Sequence, residues 1–209
     1  MPTVLLTSAY LPCVQYFQKL LTYDRVLVEQ WDCYMKQTYR NRCVIAGPNG
    51  PIPLSVPVEH TAEPKCLMRD VRLSDHGHWR HLHLNALQSA YNHSPFFEYY
   101  QDDFRALYEK PFTFLIDFNE SLLHLLCSLI GISPCIGRTT SYVDQPGPDV
   151  DDLREVIHPK RNPASDDPTF KPLPYYQVFA DRLGFLPNLS VVDLLFNMGP
   201  ESLLVLKGE

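Results

Sequence analysis

The chain has 209 residues, 45% of them hydrophobic, with a formal net charge of -6 and a pI near 5.7. That length and apolar content can bury one continuous core, which excludes disorder as the starting expectation. The acidic balance excludes a general binder of nucleic acid or of membrane surfaces, so any anion site must be local.

The first elements follow from hydrophobic pattern. Thr3 to Ser8 is a short apolar, β-leaning run, Val14 to Leu21 has apolar residues at helical spacing, and Arg25 to Gln30 reads as a second strand. A βαβ opening of this kind predicts an α/β fold, with a largely parallel sheet in the N-terminal half and helices packed on it. Thr38 to Ala46 and Ile52 to Val58 flank Gly47-Pro48-Asn49-Gly50-Pro51, which is turn chemistry joining two strands and makes the sheet mixed. Met68 to Leu73 offers another strand.

Two helical blocks follow, Trp79 to Tyr108, interrupted at Ser94-Pro95, and Phe112 to Leu129. Together with Val178 to Leu183 and Val191 to Met198 they predict a mainly helical C-terminal half. Ser190 with Asp193 three residues on, and Gly199-Pro200 at the far end, delimit the last of these helices. Between the helices, residues 137–174 are rich in proline and carry Asp149, Asp151 and Asp152, which predicts a long loop. The whole chain reads as a single domain, 1–209, with that loop inside it.

Cys13, Cys33, Cys43, Cys66, Cys127 and Cys135 form no C-x-x-C pair, and no histidine pair stands at zinc spacing. Free thiols in a cytoplasmic protein, with no metal and no cofactor, are the expectation. The first 17 residues lack a basic n-region, and the most apolar stretch, Ser121 to Ile132, is too short to cross a bilayer, so no membrane insertion is expected. Signatures of α/β-hydrolases, P-loop proteins and dinucleotide-binding folds are absent.

Three segments carry residues suited to chemistry. If Lys36 to Cys43 is extended, alternation puts Lys36, Thr38, Arg40 and Arg42 on one face, a cationic strip suited to phosphate or carboxylate. The residues read as substrate-binding are Lys36, Gln37, Arg40, Asn41 and Arg42, together with Trp79 and Tyr91. In the helix from Trp79, His83 falls on the apolar arc. A histidine there is either a hydrogen-bonded core residue or a general base whose pKa burial lowers. His60, beyond the strand ending at Val58, is the second candidate base, because ligands of α/β sheets collect outside strand carboxyl ends.

The strings Y-L-P-C-V-Q-Y-F (10–17), K-Q-T-Y-R-N-R (36–42), Q-S-A-Y-N-H-S-P-F-F-E-Y-Y (88–100), P-Y-Y-Q-V-F (174–179) and P-N-L-S-V-V-D-L-L-F-N-M-G-P (187–200) resemble the bacterial WbqC-like family. The resemblance implies a protein linked to O-antigen and related surface-polysaccharide gene clusters. It implies a transferase moving a glycyl or other aminoacyl or acyl group onto a sugar, with no established catalytic residues to carry over. The family's W-x-x-x-H histidine falls on His83, although His81-Leu82 and Leu84-Asn85 depart from a more basic pattern. The partner expected is an anionic small molecule such as a nucleotide-linked sugar, without nucleic acid. The alternative reading is a non-catalytic binding or assembly protein with a pathway-protein partner.

Overall fold

The computed structural model describes residues 1–59 and 65–209. Strand β1 (Thr3–Thr7), helix α1 (Val14–Thr22) and strand β2 (Arg25–Glu29) build the predicted βαβ unit, with β1 and β2 parallel and Thr3 opposite Arg25. Val4, Leu5 and Leu6 are all fully buried, the continuous apolar run expected of a parallel strand covered on both faces. Strand β3 (Arg42–Gly47) and strand β4 (Gly50–Ser55) form a separate antiparallel hairpin, so parallel and antiparallel pairing both occur but in different sheets.

Met68 to Leu73 does not form the expected strand. Met68–Asp70 is a 3₁₀ turn, after which Arg72 and Leu73 make only isolated bridges, to Phe114 and Val58. Helix α2 (Trp79–Tyr91) and helix α3 (Phe97–Tyr108) break where Ser94-Pro95 predicts, and helix α4 (Leu115–Ile130) ends at Gly131 in the left-handed conformation.

Residues 137–174 depart most from expectation. Strand β5 (Ile136–Arg138) and strand β6 (Val150–Asp152) complete the main sheet in the order β5-β2-β1-β6, all parallel. Each is three residues long and lies at a sheet edge, paired on one side only, so neither needed a long apolar run. After helix α5 (Pro163–Asp166) the chain is tied to α1. Asp167 accepts from Gln15 Nε2 (2.8 Å) and pairs with Lys19 Nζ (2.6 Å), both partners buried, and Gln18 Nε2 donates to the Lys171 carbonyl.

The Lys19–Asp167 pair gives a pH-dependent contribution. Burial alone would raise the Asp167 pKa, but hydrogen bonds from Gln15, Lys19 and Thr169, with the charge of Lys19, hold it below the usual carboxylate range. A depressed acid stabilises the fold above its unfolded pKa, near 4, and loses that contribution as pH falls through the folded value. Asp167→Asn should therefore flatten the acid limb of stability measured by urea melts between pH 3 and 5.

Helix α6 (Ala180–Leu183) leads to helix α7 (Val191–Met198), whose first turn is capped by Ser190, and to helix α8 (Ser202–Lys207). One contiguous core joins side chains from β1, α1, β3, α2, α3, α4 and α7. Among the described residues no helix is long and apolar enough to cross a membrane.

Candidate functional site

Because every strand of the main sheet runs in the same direction, all four carboxyl ends open on one edge. The chain leaves β1 toward β2 on one side and returns to β6 on the other, so β1 and β6 flank a reversal of strand order, where α/β sheets place ligands. On this edge a cleft of about 330 Å³ is lined by Trp31, Asp32, Cys33, Met35 and Arg40 after β2, Tyr142 after β5 and Glu155 after β6.

Glu29, the last residue of β2, fixes the floor. Its carboxylate is fully buried and accepts from the Trp31 N–H (2.9 Å), Thr139 Oγ1 (2.7 Å), the Val143 N–H (3.0 Å) and Arg154 Nη1 (3.4 Å). One side chain thus holds together the loops that follow β2, β5 and β6. Arg154 is also fixed by Asp152, to which it donates from Nε (2.9 Å) and Nη2 (2.7 Å), and its guanidinium lies over the Tyr142 ring at 5.4 Å. Arg69 sits over Trp31 at 4.3 Å, so each aromatic of the cleft carries a cation on one face.

The wall is a buried ion pair. Arg40 Nη2 donates to Asp32 Oδ2, and the Arg40 side chain is only 3% exposed. Among the described residues Arg40 Nε and Asp32 Oδ1 have no partner. Burial raises the Asp32 pKa against the lowering effect of Arg40, giving a carboxyl more basic than usual. Asn119 of α4 holds the loop from behind, donating to the Arg40 carbonyl (2.8 Å) and to Ser8 Oγ (3.0 Å).

The cationic strip does not form. Lys36 to Asn41 is a turn and β3 begins only at Arg42. Gln37 adopts the left-handed conformation (φ 61°), Thr38 Oγ1 donates to the Met35 carbonyl and the Arg40 N–H donates back to Thr38 Oγ1. These local bonds replace a ladder, so period-two alternation has no hold here. Lys36 and Gln37 are exposed at the turn, Arg40 is buried, Asn41 Nδ2 donates to the Val56 carbonyl and Arg42 Nε donates to Ser55 Oγ. Of the predicted anion-holding residues, Arg40 lines the cleft and Lys36 adjoins its lining residue Met35.

His83 lies in the core. It is 6% exposed, Tyr10 Oη donates to its Nδ1 (2.7 Å), Tyr10 in turn bonds to Tyr108 Oη, and Trp79 packs edge-on at 5.2 Å. Burial lowers its pKa to about 4, opposed only by a hydrogen bond to the Ser55 backbone. Trp79 Nε1 donates to the Ser74 carbonyl, and buried Tyr91 donates to Asp193 and accepts from the Ala46 N–H. None of Trp79, His83 and Tyr91 lines the cleft. His60 lies outside the described residues.

Neutral burial of His83 has a measurable consequence. The unfolded chain binds a proton near pH 6.5 that the folded chain does not take up until about pH 4, so stability falls as pH drops across that interval. The loss is on the order of 3 kcal/mol by pH 4, from a shift of some two and a half pKa units. In a histidine NMR titration the His83 ring should stay neutral above pH 5, and a midpoint near 6.5 would refute its core placement.

Glu29, Asp32, Tyr142, Arg154 and Glu155 are missing from the sequence-derived set. The carboxyl-end argument that singles out His60 applies with more force to Glu29 and Asp32, which close a recognisable strand. Tyr142, Arg154 and Glu155 follow strands too short to be recognised.

No solved structure matches the chain. It is similar to the uncharacterized protein Rv1507c of Mycobacterium tuberculosis, 27% identical over an aligned length of 215 that covers 93% of each chain. The profile of the WbqC-like protein family matches residues 7–158, a span holding the last residue of β1, strands β2 to β6, the cleft and helices α1 to α4. The chain belongs to the WbqC-like protein family.

Proposed function

We propose that the protein is a cytoplasmic bacterial transferase of O-antigen or surface-polysaccharide biosynthesis, moving a glycyl or other aminoacyl or acyl group onto a nucleotide-linked or carrier-linked sugar. The observation that carries this reading is the cleft at the carboxyl edge of the sheet, with the buried Asp32–Arg40 pair on its wall and two aromatics beside it. The sugar ring stacks on Trp31 or Tyr142, a use to which amphipathic aromatic faces are suited. Lys36, exposed on the adjoining turn and without an ion pair among the described residues, meets the phosphate. Asp32, made more basic by burial and oriented by Arg40, takes the proton from the acceptor hydroxyl or amine as it attacks the carbonyl of an activated acyl ester or thioester donor, and returns that proton to the alkoxide or thiolate that leaves as the donor's acyl bond breaks. Here Asp32 takes the role expected of His83 or His60.

Calorimetric titration with UDP-N-acetylglucosamine and related sugar nucleotides tests the reading. Binding in the micromolar to millimolar range is expected, weakened about tenfold by Lys36→Gln. Absence of binding across such a panel would sink it.

A second reading, a non-catalytic sugar-nucleotide-binding or assembly protein of the same pathway, is favoured by the placement of His83 in the core, outside the carboxyl-edge cleft. Asp32→Asn separates the two. A folded variant that still restores surface polysaccharide to a strain lacking the gene supports the binding protein, and loss of the polysaccharide with retained ligand binding supports the transferase.

A further inference from the structure

The chain beyond β6 carries a second basic segment that the sequence-derived site leaves out. The Ile157 N–H bonds to the Leu153 carbonyl, closing one helical turn whose buried Ile157 anchors it to the core. Glu155, within that turn, lines the cleft, and His158, the residue just beyond the turn, is near enough to feel the charges of Glu155 and of Arg40 on the cleft wall. A tighter turn follows, in which the Arg161 N–H bonds to the His158 carbonyl (3.0 Å).

His158 is held in one tautomer. Its Nδ1 accepts from the backbone N–H of Lys160 (3.1 Å), so Nδ1 carries no proton and the neutral ring has its hydrogen on Nε2. The side chain is half-buried, and Nε2 has no partner among the described residues. Burial lowers its pKa first. Of the charges that act on it, Glu155 opposes that shift while Lys160, Arg40 and Arg161 reinforce it. Charging the ring would also set an Nδ1–H against the Lys160 N–H. Lys160 and Arg161 are exposed, and among the described residues neither side chain has an ion pair.

We propose that His158 to Arg161 is a second ligand-binding segment of the cleft, with the His158 Nε2–H as a neutral hydrogen-bond donor and Lys160 and Arg161 as cations, all directed at a phosphoryl group of the ligand. This rests on the cleft being the ligand site. It restores by a different route the anion-holding surface that the 36–42 strip does not provide: cations come from two loops, one after β2 and one after β6. A neutral donor among cations binds a phosphoryl oxygen without adding another charge to the repulsion between them.

The test has two parts, both on the full chain. Long-range ¹⁵N–¹H NMR of histidine-labelled protein, with His158 assigned by the peak missing in His158→Gln, should show a neutral Nε2–H ring whose midpoint lies below the ordinary 6.5. An Nδ1–H ring, or a midpoint near 6.5, overturns the proposal. In calorimetry, a Lys160→Gln, Arg161→Gln double variant, at exposed positions where folding is not at stake, should bind UDP-N-acetylglucosamine at least tenfold more weakly than the wild type. The His158 Nε2 resonance should move on addition of that probe.

Equal affinity of variant and wild type overturns this inference alone and leaves the cleft as ligand site. Failure of the wild type to bind the probe overturns both. Inorganic phosphate serves as the second probe. An equal response to both at the same concentrations assigns the segment to free phosphate and overturns its role in recognising a carrier-linked ligand.

Discussion

Replacing Asp193 with Ala should destabilise the protein by about 3 kcal/mol in urea unfolding, the range expected when several buried donors lose their acceptor at once. Asp193 is fully buried in the first turn of α7 and accepts from Tyr91 Oη (2.9 Å), Tyr175 Oη (2.7 Å) and Gln177 Nε2 (2.9 Å), with no cation among its hydrogen-bonding partners. Burial raises its pKa, and the hydrogen bonds from Tyr175, Tyr91 and Gln177 offset that only in part. A raised acid contributes its stability below the unfolded pKa, near 4, and loses it as pH rises through the folded value. Wild type and variant should therefore differ most at low pH. Tyr175 and Gln177 belong to the chain that returns from the proline-rich segment, and Gln177 also brackets Leu186 through its N–H and carbonyl. Hydrogen exchange across 174–187 should accelerate in the Ala variant. Asp193→Asn, which keeps one acceptor oxygen, should cost less.

Removing one partner of the Asp32–Arg40 pair should cost 3 to 5 kcal/mol, roughly the range for a buried charge left uncompensated. Arg40→Met strands Asp32, and Asp32→Leu strands Arg40. The double variant, with both charges gone and apolar volume in their place, should recover most of the stability while losing ligand binding. That divergence separates the pair's structural role from its functional one. A double variant no more stable than either single variant would mean that the Arg40 side chain acts through its other contact, the bond from its Nη1 to Thr38 Oγ1 (3.5 Å).

The legible parts of this fold are those in which local chemistry and tertiary packing agree. The β1–α1–β2 unit shows as an apolar run, a helical stripe and a second run. The break between α2 and α3 shows as Ser94-Pro95, though Ser94 donates back to the Tyr91 carbonyl instead of capping the next helix. Ser190 caps α7 as its type and position suggest.

The illegible parts depend on partners distant in sequence. β5 and β6 are strands only because β2 and β1 lie beside them. The Lys36–Asn41 segment has the composition of a strand, but Thr38 closes a turn and Arg40 turns inward to Asp32, eight residues earlier. Alternation cannot anticipate a buried ion pair. The environment of His83 is made by Tyr10 and Tyr108, one of them 73 residues away, so its helical position gave the burial but not the hydrogen bond that makes it a core residue. The site itself was legible only as a rule, that ligands gather at strand carboxyl ends. Applying the rule to Glu29 and Asp32 needed only β2, whereas Tyr142, Arg154 and Glu155 needed the completed sheet.

The two tryptophans of the chain report on the two competing locations, Trp31 in the cleft and Trp79 against His83. Their indole N–H resonances, followed in ¹⁵N–¹H spectra during titration with UDP-N-acetylglucosamine, test the central claim directly. If the cleft at the carboxyl edge is the ligand site, the Trp31 signal shifts in proportion to occupancy while the Trp79 signal stays in place. A shift of Trp79 with Trp31 unmoved would return the site to the His83 helix and contradict the account.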